Sequence, residues 1–134
     1  MTNLRSLALA VAVVATTVIP VAAQDDPPTG PFRAVHLVSL TPQQVAVMQA
    51  WMSDINAVLD KAGHQDSRYR LFKVIGKQAG QYDFMWESSW SSGDVYTRIH
   101  SSAEWRAVGE KHPGVSALTK DEIYNRYVEV LPPR

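Results

Sequence analysis

Residues 69–90, YRLFKVIGKQAGQYDFMWESSW, are the stretch that decides the fold. Aromatic and β-branched residues, which favour a pleated surface, fill two arms, Tyr69–Ile75 and Tyr82–Trp90. The linker between the arms, residues 76–81, contains glycine and is short enough to make neighbours of them. The stretch therefore predicts a β-hairpin, and we expect this hairpin to form the centre of a sheet.

The turn predicts which side chains share a face of the hairpin. If Gly76 pairs with Gln81, alternation along a strand places one set on one face, namely Tyr69, Leu71, Lys73, Ile75, Tyr82, Phe84, Trp86 and Ser88. The opposite face then carries Arg70 opposite Glu87, Phe72 opposite Met85, and Val74 opposite Asp83. Both faces are largely apolar, so we expect helices to cover one and a second sheet or a cavity to cover the other.

The remaining elements flank this hairpin. A strand is predicted at 32–40, and a helix begins at Thr41, where Pro42 and Gln44 complete a capping box. The helix ends at Gly63, and its apolar positions recur every three or four residues, namely Val45, Met48, Met52, Ile55, Leu59 and Ala62. Further helix starts at residues 91–94 and 101–104 and a last strand at 123–130 complete the pattern.

The order of elements is βαββαβ, the ferredoxin-like pattern of the α+β class, with a four-stranded antiparallel sheet across residues 32–134. Helices on one side leave the other sheet face bare, and that face carries Phe72, Val74 and Met85. We therefore predict a homodimer in which two such sheets pack face to face and close a barrel-like interior.

The N-terminal residues predict export. Residues 1–23 join a basic start at Arg5 to an apolar run and small residues before Gln24, as in a cleaved signal peptide. An uncleaved anchor is the alternative, but the apolar run is shorter than the roughly 20 residues that a spanning helix needs. We expect residues 24–31, rich in Asp, Pro and Gly, to form a flexible leader. The mature protein is thus predicted to be periplasmic or secreted, with no stable membrane anchor.

Charge and cysteine content exclude several classes of function. The chain has 13 basic and 13 acidic residues, and loss of Arg5 with the signal peptide leaves the mature chain close to neutral. Because phosphate binding needs a basic surface, no nucleic-acid partner is expected. The absence of cysteine excludes disulfides, thiolate metal sites and a cysteine nucleophile.

Three short segments resemble the dimeric α+β barrel superfamily, which includes antibiotic-biosynthesis-type monooxygenases, stress-responsive barrel proteins and a plant polyketide cyclase. They are His36-Leu37-Val38, residues 82–90, and the segment Tyr96-Thr97-Arg98-Ile99-His100. The resemblance implies a dimeric barrel fold. Ala103 stands where the cyclase-like helix carries a second His, and the Asn, Trp and His arrangement of haem-degrading members is missing. These departures weaken the case for cyclase chemistry and for haem binding, and no cofactor is predicted.

Candidate catalytic residues are His36, Tyr96 and His100. A histidine titrates near neutral pH, so His36 in a strand could act as a base or donate a hydrogen bond to a substrate. The alternative is a structural histidine bonded to a neighbouring group. His100 and Glu104 lie four residues apart, a spacing that suits two metal ligands, but Ser101 and Ser102 break the helix and no third ligand is near, so no metal site is predicted.

Candidate ligand-binding residues lie on the hairpin. Arg70 could hold an anionic or carbonyl group with Glu87 orienting it, whereas the alternative is a structural cross-strand salt bridge. Phe72, Met85 and Trp86 are the apolar members of the predicted site. Aromatic residues at alternating spacing are also typical of a core.

These observations leave three hypotheses for function. The first is an exported homodimer whose interior binds a small, mainly apolar or aromatic molecule. The second is a cofactor-independent oxygenase or cyclase-like enzyme that transfers protons with His36 and Tyr96 or His100. The third is a structural dimer module with a filled core.

Overall fold

A computed structural model describes residues 26–77, 79–120 and 123–132. The elements follow one another as β1 (Phe32–Val38), α1 (Pro42–Lys61), β2 (Arg70–Lys73), β3 (Phe84–Trp90), α2 (Gly93–His100), α3 (Ala103–Lys111), α4 (Val115–Leu118) and β4 (Ile123–Tyr127), with a short 3₁₀ turn at Gln65–Ser67. The predicted α+β class and the βαββαβ order are confirmed, with the second helical segment divided into α2, α3 and α4.

The four strands form one antiparallel sheet in the order β2-β3-β1-β4. The predicted hairpin register is confirmed, since Arg70 pairs with Glu87 and Phe72 with Met85. The expectation that the hairpin is the centre of the sheet is wrong, because β2 is an edge strand and β1 lies between β3 and β4. Pairing between β1 and β3 joins segments about 50 residues apart, so the local sequence of either strand does not identify its partner.

Helix α1 begins as the sequence predicts. The Gln44 amide N–H donates to the Thr41 hydroxyl over 3.3 Å, and the Thr41 amide N–H donates to the Gln44 side chain over 2.8 Å. The helix ends at Lys61, followed by Gly63 with φ of 77°, a left-handed conformation that favours glycine. Its buried face consists of Met48, Trp51, Met52, Ile55 and Leu59, whereas Ala62, expected in the core, is exposed.

The helices cover one face of the sheet only. On the face that the helices cover, the buried residues come from β1, from β3 and from the position just before β2. They are Ala34, Val38, Tyr69, Trp86, Ser88 and Trp90. On the other face Phe72, Ile123 and Tyr127 are exposed. The described chain thus has a covered face and an open face, as the apolar pattern of the hairpin predicts, and Phe72 on the open face is 40% exposed.

The predicted signal peptide, residues 1–23, lies outside the described residues, as do the first two residues of the predicted leader. Among the helices that the structure describes, none is both long and apolar enough to cross a membrane. Residues 26–31 contain no helix or strand, and the mobility of the leader stays a prediction.

The described part of the leader contacts the start of α2. The Gly93 amide N–H donates to the Pro28 carbonyl over 2.7 Å. A Cβ atom at Gly93 would lie 2.6 Å from the Pro28 carbonyl oxygen and 2.7 Å from the Pro27 Cβ, so the two segments approach closely only because glycine has no side chain.

Gly93→Ala is expected to lower the free energy of unfolding by roughly 1–3 kcal/mol, because the added methyl group must displace the Pro27–Pro28 backbone. Gly109→Ala is the matched control: Gly109 lies inside α3, a methyl group there would have nothing within 4 Å, and alanine is the better helix former. Urea unfolding of both variants checks this. Equal stability of the two variants would show that the contact with Pro27 and Pro28 is unimportant.

Candidate functional site

The candidate residues are divided between the two faces of the sheet. His36 pairs with Trp86 on one side and with Tyr124 on the other, so these three side chains share the helix-covered face. Arg70, Phe72, Met85 and Glu87 alternate onto the open face. The predicted ligand-binding set therefore does not line one surface, because Trp86 belongs to the opposite face from its other members.

An aromatic cluster fills the space between the sheet and the helices around His36. The His36 ring stacks on Trp86, with ring centroids 3.5 Å apart and planes 4° from parallel. Tyr124 lies 4.5 Å from His36 on its other side, and Trp51 of α1 meets Trp86 edge-on at 5.7 Å. His36 is half-buried and Tyr124 is partly exposed, so the cluster reaches the surface beside β4.

The second histidine of this cluster is held through both of its ring nitrogens. His100 is the last residue of α2, and its Nδ1 lies 2.8 Å from the backbone carbonyl oxygen of Tyr96. Since a carbonyl only accepts hydrogen bonds, Nδ1 carries the proton in the neutral ring and Nε2 is the acceptor. The Tyr69 hydroxyl lies 3.2 Å from Nε2 and is placed to donate to it.

Burial determines the protonation of this part of the cluster. The pKa of His100 is lowered to about 4, chiefly by desolvation. The bond to the Tyr96 carbonyl opposes this shift, and the charges of Arg126 and His36 add to it. Desolvation likewise raises the pKa of Tyr96 to about 12. Both side chains are therefore uncharged near neutral pH, and His100 is an acceptor that orients the Tyr69 hydroxyl, with little strength as a base.

Trp86 brings a buried donor into the cluster. The residue is 5% exposed, and its indole Nε1 has no hydrogen-bond partner among the described residues. A buried N–H without a partner costs free energy, and such groups are rare in folded proteins. An acceptor atom on a bound molecule is one group that would satisfy it.

Three residues of this cluster were missed as site residues by sequence reasoning. They are Tyr69, Tyr124 and Arg126. The Arg126 Nε donates to the Tyr124 hydroxyl over 2.7 Å, and its guanidinium carbon lies 5.7 Å from the Tyr96 ring centre. The signal available was alternation: Tyr69 shares the predicted face of Trp86, and Tyr124 and Arg126 are two residues apart on β4.

Tyr69 is fixed from α1. The Asn56 side-chain amide donates to the Tyr69 carbonyl over 3.0 Å, and its oxygen accepts from the Tyr69 amide N–H over 2.7 Å. This pair of bonds replaces the partners that the backbone loses just before β2 begins. It sets the position of the Tyr69 hydroxyl opposite His100.

The open face carries a groove of about 820 Å³. Its floor is lined by Val35 and Leu37 of β1 and by Met85 of β3, with Tyr127 at one side. Two rows of side chains cross this face, because the strand pairing aligns Phe72, Met85, Leu37 and Ile123 in one row and Arg70, Glu87, Val35 and Asn125 in the next. The first row is wholly apolar and the second is polar at both ends.

Glu87 is the buried charge of the open face. Its side chain is 7% exposed, and Arg70 donates to it over 2.7 Å from the neighbouring strand. Arg33 of β1 lies 3.5 Å from the other carboxylate oxygen. The predicted pairing of Arg70 with Glu87 is thus present in the structure, with Arg33 as a further partner that the hairpin alone did not reveal. Its role in ligand binding stays a prediction.

Within the described residues there is no group of three or more His, Asp or Glu side chains placed to hold a metal ion. His100 ends α2 and Glu104 lies in α3, so the four-residue spacing between them does not fall on one continuous helix.

Comparison with solved structures identifies the fold. The chain is similar to a dimeric ferredoxin-like protein from Thermobifida fusca, with a TM-score of 0.54, 18% identity, and coverage of 75% of this chain and 92% of that one. It is also similar to a Dabb family protein from Mesorhizobium loti, with a TM-score of 0.52, 14% identity, and coverage of 75% and 98%. A third similar structure is the hydroxynitrile lyase from Passiflora edulis, with a TM-score of 0.55, 12% identity, and coverage of 78% and 100%.

No family model matches the chain, and no curated protein matches it. The resemblance to the dimeric α+β barrel proteins is confirmed at the level of the fold. At these identities a shared fold carries no activity with it, so function has to be argued from the site itself.

The low pKa of His100 predicts an acid-sensitive fold. In the unfolded chain His100 takes up a proton near pH 6.5, whereas in the folded chain it does so only near pH 4. The contribution of His100 to the free energy of unfolding is therefore complete above pH 6.5 and is lost as the pH falls through 4. The loss is on the order of 3 kcal/mol for this group.

His100→Gln is expected to lose less stability than wild type between pH 7 and pH 4, since glutamine takes up no proton. Urea unfolding at several pH values gives the difference between the two proteins, and the acidic groups that both share cancel in it. Parallel stability curves would contradict a buried neutral His100.

Proposed function

We propose that this protein is an exported homodimer that binds a small, mainly apolar or aromatic molecule against its open sheet face. The observation that supports this most directly is the groove of about 820 Å³, whose apolar floor lies on the sheet face that no described helix covers. Ligand pockets are typically about 300–1,000 Å³ and mostly apolar with a few polar groups. The proposal requires no cofactor.

The dimer follows from the same exposed surface. Phe72, Ile123, Tyr127 and Val128 are exposed apolar or aromatic residues at or beside the open face. Exposed apolar patches of this kind mark interaction surfaces, and a second copy of the same face is self-complementary about a two-fold axis. The similar protein from Thermobifida fusca is described as dimeric, which supports the proposal. Packing two open faces together would turn an open groove into an enclosed interior.

Export rests on the sequence of residues 1–23 alone. Intact-mass measurement of the protein recovered from the medium or periplasm of an exporting host checks it, and a mature chain that begins near Gln24 is the expected result.

Phe72→Glu is expected to weaken dimerisation by at least about tenfold, because it buries a carboxylate between the two open faces. Val47→Glu is the matched control, since Val47 is 43% exposed and Phe72 is 40% exposed, but Val47 lies on α1 away from the sheet. Sedimentation equilibrium gives the dissociation constants, and native mass spectrometry reports any retained small molecule. A wild-type chain that stays monomeric at high concentration would refute the homodimer, and with it the enclosed interior.

An enzyme that transfers protons is the second candidate, and the cluster on the covered face is the observation that favours it. The structure brings His36, Tyr96 and His100 into one aromatic cluster. The Trp86 indole N–H, which has no partner among the described residues, is a donor for a substrate oxygen. The Tyr69 hydroxyl is oriented by its bond to His100 and presents its oxygen as an acceptor. Because the pKa of His100 is about 4, His36 is the better candidate base and His100 is a positioning residue. The corresponding reaction class is proton abstraction beside a carbonyl group.

Exchange of the methyl protons of acetophenone in D₂O, followed by NMR, tests this candidate. We expect wild type to accelerate the exchange and His36→Gln to lose on the order of 100-fold of the acceleration. Tyr69→Phe is expected to lose part of it, and His64→Gln, in the loop after α1, is the control that keeps it. Equal rates in wild type and His36→Gln would exclude His36 as the base.

A further inference from the structure

We infer that the open-face groove selects anionic ligands: molecules with a small aromatic or apolar body and one carboxylate or sulfonate group. The anionic group would be bound by Arg33, which lines the groove, and by Arg70, which lies beside the groove on β2. The inference rests on the proposed function, because it assigns a chemical class to the ligand of that same groove. It depends on three features of the open face, which are its charge balance, the spare donors of its arginines and the order of its rows.

The charge balance immediately around Glu87 is positive. Glu87 in the centre contributes one negative charge, while Arg70 and Arg33 on the flanking strands contribute one positive charge each. Glu129 also lines the groove, but it lies past the end of β4, so the positive excess belongs to the surroundings of Glu87 and not to the groove as a whole. Around Glu87 the two arginine charges exceed the single carboxylate charge by one.

The arginines have donors to spare. Each guanidinium carries five N–H groups, whereas one Arg70 nitrogen bonds to Glu87 and one Arg33 nitrogen lies 3.5 Å from it. Their side chains are 59% and 56% exposed, against 7% for Glu87. Glu87 thus contacts one nitrogen of each guanidinium, and the remaining N–H groups of both arginines are left for a ligand. A planar guanidinium with free N–H groups suits a carboxylate or sulfonate.

The order of the rows places an apolar body next to this charge. Phe72, Met85 and Leu37 form the row adjacent to the one that contains Arg70 and Glu87. Residues two apart on a strand are separated by roughly 7 Å, so a molecule that spans both rows can place its ring on the apolar row and its anionic group toward the arginine row. The Arg70 guanidinium also lies 5.8 Å from the centre of the Phe72 ring, so charge and aromatic surface are presented together.

Two fluorescent probes with the same aromatic body separate this inference from the proposed function. 1-Anilinonaphthalene-8-sulfonate carries a sulfonate, and N-phenyl-1-naphthylamine is the same molecule without it. We expect the purified wild-type protein to bind the sulfonate at least about tenfold more tightly. Raising NaCl from about 20 mM to about 300 mM is expected to weaken the binding of the sulfonate and leave that of the neutral amine unchanged.

Arginine variants locate the effect. Arg70→Gln and Arg33→Gln are each expected to weaken binding of the sulfonate by about tenfold while binding of the neutral probe is retained, which also shows that the groove is intact. Arg98→Gln, on the exposed surface of α2, is the control that removes the same charge elsewhere. Equal affinity for the two probes, or full affinity for the sulfonate in both arginine variants, would overturn the anion selectivity and leave the apolar binding site standing. Failure of wild type to bind either probe would overturn the proposed function and the inference together.

Discussion

The antiparallel pairing of β1 with β3 is the constraint on which the rest of the molecule depends. These two strands are the interior of the sheet, and each assigns alternate side chains to opposite faces. His36 and Trp86 face the helices, while Val35 and Glu87 face the open side. A shift of this pairing by one residue would exchange the contents of the two faces, because the side-chain period is two.

Buried polar groups are stabilised differently on the two faces of the sheet. Under the helices, desolvation keeps His100 and Tyr96 uncharged, and their polar atoms are placed in a network with Tyr69 and Arg126. On the open face, Glu87 is held between arginines from both neighbouring strands. A buried carboxylate needs such partners, since its desolvation is costly and paired arginines offset part of that cost. One face therefore offers oriented neutral donors and acceptors, and the other offers charge beside an apolar floor.

Local features of the fold were predictable from the sequence, and long-range features were less so. The Thr41 capping box, the left-handed Gly63 that follows the end of α1 and the Arg70–Glu87 register depend on residues close together in the chain, and all are present. The edge position of β2 was missed, because it is decided by the pairing of β1 with β3. The Arg33 contact to Glu87 and the Tyr69 contact to His100 were missed for the same reason: their partners lie 54 and 31 residues apart in the sequence numbering.

The sequence by itself determined the α+β class, the order of elements and the two apolar faces of the hairpin, because periodicity and turn chemistry act over a few residues. Only the tertiary structure decided that His36, Tyr96 and His100 share a cluster under the helices while Arg70, Phe72, Met85 and Glu87 lie on the far side of the sheet. The reason is geometric. A site is made where strands distant in sequence become neighbours, and which strands do so is settled by packing of the whole chain.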